Sequence, residues 1–89
     1  YQGSDAPVEA ARNASTRLQH ALTEWMDSSG LPIDVTPMVA GSDFVPFMNA
    51  GIPASGVLTG AGALKTEAQR TRFGGFANAP LDPCYHQPC

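Results

Sequence analysis

Ile33-Asp34-Val35-Thr36, Phe44-Val45-Pro46-Phe47-Met48-Asn49-Ala50-Gly51 and Ile52-Pro53-Ala54-Ser55-Gly56-Val57-Leu58-Thr59 follow one another in the middle of the chain. The first alternates apolar and polar side chains, the signature of a short strand with one buried face. The second places apolar residues at helical steps, with Ser42 or Asp43 as a cap and Gly51 as a stop. The third carries Ile52, Val57 and Leu58 around the small residues Ala54, Ser55 and Gly56, and predicts a second strand with room for another backbone to approach. Residues 39–43, between the first strand and the short helix, are expected to form a loop.

Outward from this block, the N-terminal third predicts one amphipathic helix over residues 6–28. Val8, Ala11, Ser15, Leu18, Leu22, Trp25 and Met26 recur at steps of three and four and make one apolar stripe. Ser4 or Asp5 is placed to cap it, Pro7 and Glu9 suit its first turn, and Gly30 ends it. His20 lies opposite the stripe and reads as a solvated surface residue. Asn13-Ala14-Ser15 has the form of a glycosylation sequon, but inside a helix such a triplet is most simply a coincidence. On the other side, residues 66–73 predict a polar helix capped by Thr66 and stopped by Gly74-Gly75.

The order helix, strand, helix, strand, helix belongs to a layered α/β domain. Two strands leave two open edges and cover little of the long helix. The expectation is therefore a partial slice of a larger domain. The chain starts at Tyr1 and stops on Cys89, and both ends read as cuts in a longer sequence.

Composition narrows the class. The chain has 89 residues, of which 43% are hydrophobic, as in a globular chain. A domain this short has a small core and is only marginally stable by itself. The five Lys and Arg residues are scattered and the net charge is −3, so there is no basic face for nucleic acid or for a membrane surface. There is neither a run of about 18 apolar residues for a membrane span nor a signal peptide. Nine glycines and eight prolines, concentrated after residue 30, make the second half rich in loops.

The tail Asp82-Pro83-Cys84-Tyr85-His86-Gln87-Pro88-Cys89 concentrates the chemistry. The two cysteines bracket a Tyr-His pair. A disulfide between them suits an oxidising compartment, hence a secreted or cell-surface protein. Its use would be local geometry, since so small a ring restricts little of the unfolded chain. Cys84, His86 and Cys89 are alternatively three soft ligands of a structural zinc, although such sites use closer cysteine pairs and a fourth ligand. His86 is the best metal candidate in either case, against the plainer possibility of a structural histidine. Tyr85 is able to donate its hydroxyl to a developing oxyanion, against the plainer possibility of local packing.

These residues, taken together, resemble peptidase family M28, in particular its secreted bacterial zinc aminopeptidases of the Streptomyces type. The tail resembles their C-terminal ligand motif. Gly41-Ser42-Asp43-Phe44-Val45-Pro46-Phe47, then Ala50-Gly51-Ile52-Pro53-Ala54, resembles their Ser-Asp-His-x-x-Phe and Gly-Ile/Val-Pro block. Gly56-Val57-Leu58-Thr59-Gly60-Ala61-Gly62, Lys65-Thr66 and Phe73-Gly74-Gly75 follow in the same order, so the resemblance spans about residues 39–89.

The resemblance implies a slice of a three-layer, mixed-sheet zinc-exopeptidase domain of the phosphorylase/hydrolase-like kind. Residues 1–89 would form the C-terminal part of one catalytic domain, with the rest of that domain as its partner and a peptide as substrate. Two zinc ions are implied, with His86 as the only ligand supplied by this chain. Tyr85 is implied to hold the oxyanion, Gly41, Ser42 and Leu58 to line the substrate pocket, and Asp43 to support the site from behind. Gly41 stands where such enzymes carry Arg, and Phe44 where they carry His, which implies an altered pocket. The isolated chain is expected to be inactive. A glutaminyl-cyclase-like acyltransferase, which typically has Trp before the His, a receptor-like relative without activity, and a free-standing structural-zinc or disulfide module are the competing readings.

Overall fold

The computed structural model describes residues 1–38 and 41–89, in two compact units, Tyr1–Val57 and Leu58–Cys89. Val39 and Ala40, at the start of the loop expected over 39–43, lie outside the described residues.

The first unit is built on α1 (Glu9–Ser28) and the shorter α2 (Phe44–Asn49). Both end close to where the sequence places them. The two C-termini close identically: Gly30 N–H donates to Asp27 O and Leu31 N–H to Met26 O, while Gly51 N–H donates to Met48 O and Ile52 N–H to Phe47 O. This paired bonding satisfies the last carbonyls of each helix.

The N-termini differ from expectation. Ser4 and Asp5 do not cap α1; they belong to a 3-10 turn over Gly3–Asp5, and Val8 holds the cap position without a side-chain bond. The Asp5 carboxylate instead accepts from Met38 N–H at 3.2 Å, and Arg12 Nε holds the incoming chain through Ala6 O at 2.8 Å. Neither Ser42 nor Asp43 caps α2 through its side chain; the Ser42 hydroxyl lies 3.4 Å from the Tyr1 hydroxyl.

The core consists of Ala6, Ala11, Met38 and Met48, with Tyr1, Phe44 and Ala54 packed against it. Tyr1 meets Phe44 edge-on, with ring centroids 4.7 Å apart. The tightest contact is between Gly3 and α1. A β-carbon added at Gly3 would stand 2.2 Å from the Ser15 carbonyl carbon and 2.3 Å from Thr16 N. Only a glycine allows that approach. Ser15 is fully buried, and its hydroxyl accepts from Ala54 N–H at 3.0 Å. With Ser15 enclosed, the formal sequon loses its accessible hydroxyl.

The apolar stripe of α1 is buried only in its first half, at Ala11 and Ser15. Farther along, Leu18 is 44% and Trp25 61% exposed.

The expected strands over 33–36 and 52–59 form no ladder among the described residues. Their described bonds run elsewhere: Thr36 O accepts from Gln2 N–H, Ala54 N–H donates to Ser15, and Gly56 O accepts from the Tyr1 nitrogen. A strand pattern in the sequence becomes a ladder only with a partner strand.

The second unit wraps a short antiparallel pairing around α3 (Glu67–Phe73). Thr66 caps α3 as expected, in a reciprocal box with Gln69. Leu64 bridges Pro80, and Lys65 N–H donates to Ala79 O, Leu81 N–H to Ala63 O and Asp82 N–H to Ala61 O. The pairing delivers the chain to the cysteine-flanked tail.

Replacing Gly3 by Ala is expected to destabilise the chain by about 1–3 kcal/mol, the usual cost of forcing atoms into a packed site. Gly62→Ala is the control: a β-carbon there meets nothing within 4 Å, so a change below ~0.5 kcal/mol is expected. Urea unfolding of the two variants checks both. Equal midpoints would remove the Gly3–Ser15 contact as a constraint.

Candidate active-site turn

Asp82-Pro83 starts two consecutive turns. In the first, Tyr85 N–H donates to Asp82 O at 3.2 Å, with Pro83 in the position where its locked φ suits a turn. In the second, Gln87 N–H donates to Cys84 O at 2.8 Å, which puts Tyr85 and His86 at the two central positions. His86 has φ 57°. That left-handed region is uncommon for a residue with a β-carbon, and in comparable cases costs about 1–2 kcal/mol. Such strain persists where the surrounding structure imposes it.

The turn is also closed covalently. Cys84 and Cys89 form a disulfide with Cα atoms 5.7 Å apart, so the soft three-ligand zinc alternative is overturned: both sulfurs are bonded to each other. The ring displays the Tyr85 and His86 side chains on its outside. Both are exposed, and their rings stack with centroids 3.9 Å apart and planes 19° from parallel. No hydrogen bond among the described residues engages the His86 imidazole. The arrangement offers a nitrogen ligand and a phenolic donor side by side on a rigid turn.

Asp82 underlies this turn. One carboxylate oxygen accepts from Cys84 N–H at 3.0 Å, the other from the Thr59 hydroxyl at 2.7 Å. Neither Thr59 nor Asp82 was assigned a task from the sequence. The Asp-Pro dipeptide is the signal that points to Asp82, because an aspartate side chain bonds its own backbone two residues on.

The other candidate residues divide between the units. Leu58 belongs with Tyr85 and His86 to the second; Gly41, Ser42 and Asp43 belong to the first. Leu58 is half exposed, Ser42 is half-buried beside Tyr1, and Asp43 is exposed at the N-terminus of α2. Gly41 has φ 102° and open space where a side chain would start. A residue with a β-carbon there would meet strain in the backbone. Among the described residues, no three His, Cys, Asp or Glu side chains gather in a way that holds a metal. No helix among the described residues is long and apolar enough to cross a membrane.

No protein-family model matches the chain. Individual relatives do. Leupeptin-inactivating enzyme 1 of Streptomyces exfoliatus is 33% identical over 88 residues, 98% of this chain and 20% of its own length. An aminopeptidase of Pseudomonas aeruginosa strain UCBPP-PA14 is 48% identical over 87 residues, 98% of this chain and 16% of its own. Leucine aminopeptidase 2 of Trichophyton equinum is 35% identical over 72 residues, 81% of this chain and 14% of its own. Two of these three relatives are named aminopeptidases, and this chain spans a fifth or less of the length of each of the three.

Removing the disulfide by the double substitution Cys84→Ser, Cys89→Ser is expected to leave helix content unchanged and to lower stability by no more than ~2 kcal/mol, the low end for so short a ring. Amide exchange at Tyr85, His86 and Gln87 is expected to accelerate. Exchange rates equal to those of the parent would show that the ring does not hold the turn.

Proposed function

We propose that this chain is the C-terminal part of the catalytic domain of a zinc aminopeptidase of peptidase family M28, and that the intact protein removes the N-terminal residue from peptides. The observation that carries the reading is the Tyr85–His86 turn, displayed outward by a disulfide in a chain similar throughout to proteins named aminopeptidases. The disulfide also supports export, because such bonds persist in oxidising compartments. We place the protein outside the cytoplasm, secreted or at the cell surface.

His86 fits a zinc ligand: an imidazole, solvent-facing, held by its turn and engaged by no hydrogen bond among the described residues. It fills one coordination position. The resemblance assigns the remaining ligands and a general base to other parts of the domain. When bound, a pair of zinc ions polarises the scissile carbonyl and activates water.

The chain's own residues then act in stated places. The Tyr85 hydroxyl donates to the oxyanion that develops on the carbonyl oxygen, a bond stronger in the transition state than in the ground state. Gly41, Ser42 and Leu58 line the pocket for the substrate's N-terminal residue, and Asp43 orients its neighbours. The segments over 33–36 and 52–59 become strands of a three-layer mixed sheet once the rest of the domain supplies partners. The same remainder covers Leu18 and Trp25.

In the intact protein, Tyr85→Phe is expected to lower kcat by about 10²–10³-fold with a smaller effect on KM, as loss of one oxyanion donor does. His86→Ala is expected to remove both activity and zinc, measured with an aminoacyl chromogenic substrate and by metal analysis. The 89-residue chain alone is expected to be inactive. Full activity of the chain alone, or of the His86→Ala protein, would overturn the reading.

A further inference from the structure

The geometry points to Asp82 as the positioning residue of the Tyr85–His86 turn, with Thr59 as the residue that aims it. This rests on the reading of Tyr85 and His86 as the working pair, and goes beyond it by naming what sets their orientation.

The disulfide closes the ring, yet it constrains only the ends of the segment. Something must also fix the direction in which the ring leaves the rest of the unit. Asp82 has all four of its polar connections in use. Its N–H donates to Ala61 O, its carbonyl accepts from Tyr85 N–H, and its two carboxylate oxygens accept from Cys84 N–H and from Thr59 Oγ1. The residue therefore ties the strand-like pairing on one side to the first residues of the ring on the other. A carboxylate gives shorter and stronger bonds to N–H and O–H donors than a neutral acceptor does.

Position matters here because oxyanion stabilisation depends on geometry. A donor is effective only within hydrogen-bond distance of where the charge develops, and displacement by about an ångström costs much of the rate. Tyr85 follows directly on the Cys84 amide that Asp82 holds. Losing that bond leaves the disulfide intact and the turn hinged at Pro83.

Thr59 makes a conservative test available. Asparagine at position 82 keeps one acceptor for Cys84 N–H and turns its NH2 toward Thr59, whose hydroxyl then accepts instead of donating. Asp82→Asn should preserve the tether, and Asp82→Ala should break both bonds. Thr59→Ala removes only the aiming contact and should fall between them.

Two measurements test the inference. In the 89-residue chain, amide exchange at Cys84 and Tyr85 is expected to accelerate in Asp82→Ala and to remain near the parent's in Asp82→Asn. In the intact protein, Asp82→Ala is expected to lower kcat by about 10–100-fold, the range typical of residues that orient a reacting group. KM and thermal midpoint should change little, and Asp82→Asn should restore most of kcat. The inference is overturned if Asp82→Ala keeps the parent's kcat while Tyr85→Phe and His86→Ala lose theirs. It is equally overturned if Asp82→Asn is as impaired as Asp82→Ala, or if exchange at Cys84 does not respond. If Tyr85→Phe and His86→Ala themselves retain full activity, the underlying reading of the pair has failed, and the inference with it.

Discussion

Ser15 is the point on which the first unit depends. The Gly3 backbone lies directly on its main chain, and its hydroxyl accepts from Ala54 N–H. Gln19, one turn further, accepts from Gly3 N–H at 2.8 Å. Three segments distant in sequence thus meet on two adjacent turns of one helix. The consequences run outward: with Gly3 seated, the preceding residues reach Thr36 and Gly56 through their nitrogens, and Tyr1 packs on Phe44. A residue without a hydroxyl at position 15 would leave Ala54 N–H without its partner, at a cost of roughly 1–3 kcal/mol for a desolvated donor.

The second unit solves a different problem with the same economy. It has little to bury, so its shape is held by individual bonds, some local in sequence and some not: the Thr66–Gln69 cap, the Lys65 ammonium on Gly74 O at 2.8 Å, the Leu64–Pro80 bridge, the Asp82 tethers and the disulfide. Such bonds restrain a small turn well without requiring a large core around it. A left-handed histidine displayed beside a tyrosine is affordable in such a setting, because the ring and not the packing holds it.

Much of this was legible beforehand, and the parts that were not share a cause. Helix ends were read correctly at Gly30 and Gly51, because their stop signals act within a few residues. Thr66 announced its cap for the same reason. The N-terminus of α1 was misplaced: Ser4 and Asp5 have capping chemistry, but Gly3 is drawn onto Ser15, and the first residues form a 3-10 turn instead. Ile33–Thr36 and Ile52–Thr59 have the alternation or the composition of strands, yet a ladder exists only with a partner. In the candidate site, Tyr85, His86 and the cysteine pair stood out by type and spacing. Asp82 carried only the local turn signal of Asp-Pro, and its contact with Thr59 carried none, because a tether between residues 23 positions apart has no local signature.

By itself the sequence determined what depends on neighbours along the chain: three helices, their glycine stops, the cap at Thr66, and a Tyr-His pair enclosed by the two cysteines. Tertiary structure decided what depends on neighbours in space. It put Gly3 against Ser15, gave Ala54 a serine in place of a strand, joined Thr59 to Asp82 and turned His86 into a left-handed position. Local preferences are carried by a few bonds between residues close in sequence. Contacts between distant residues are selected only when the whole unit closes, because each must offset the entropy of bringing its segments together.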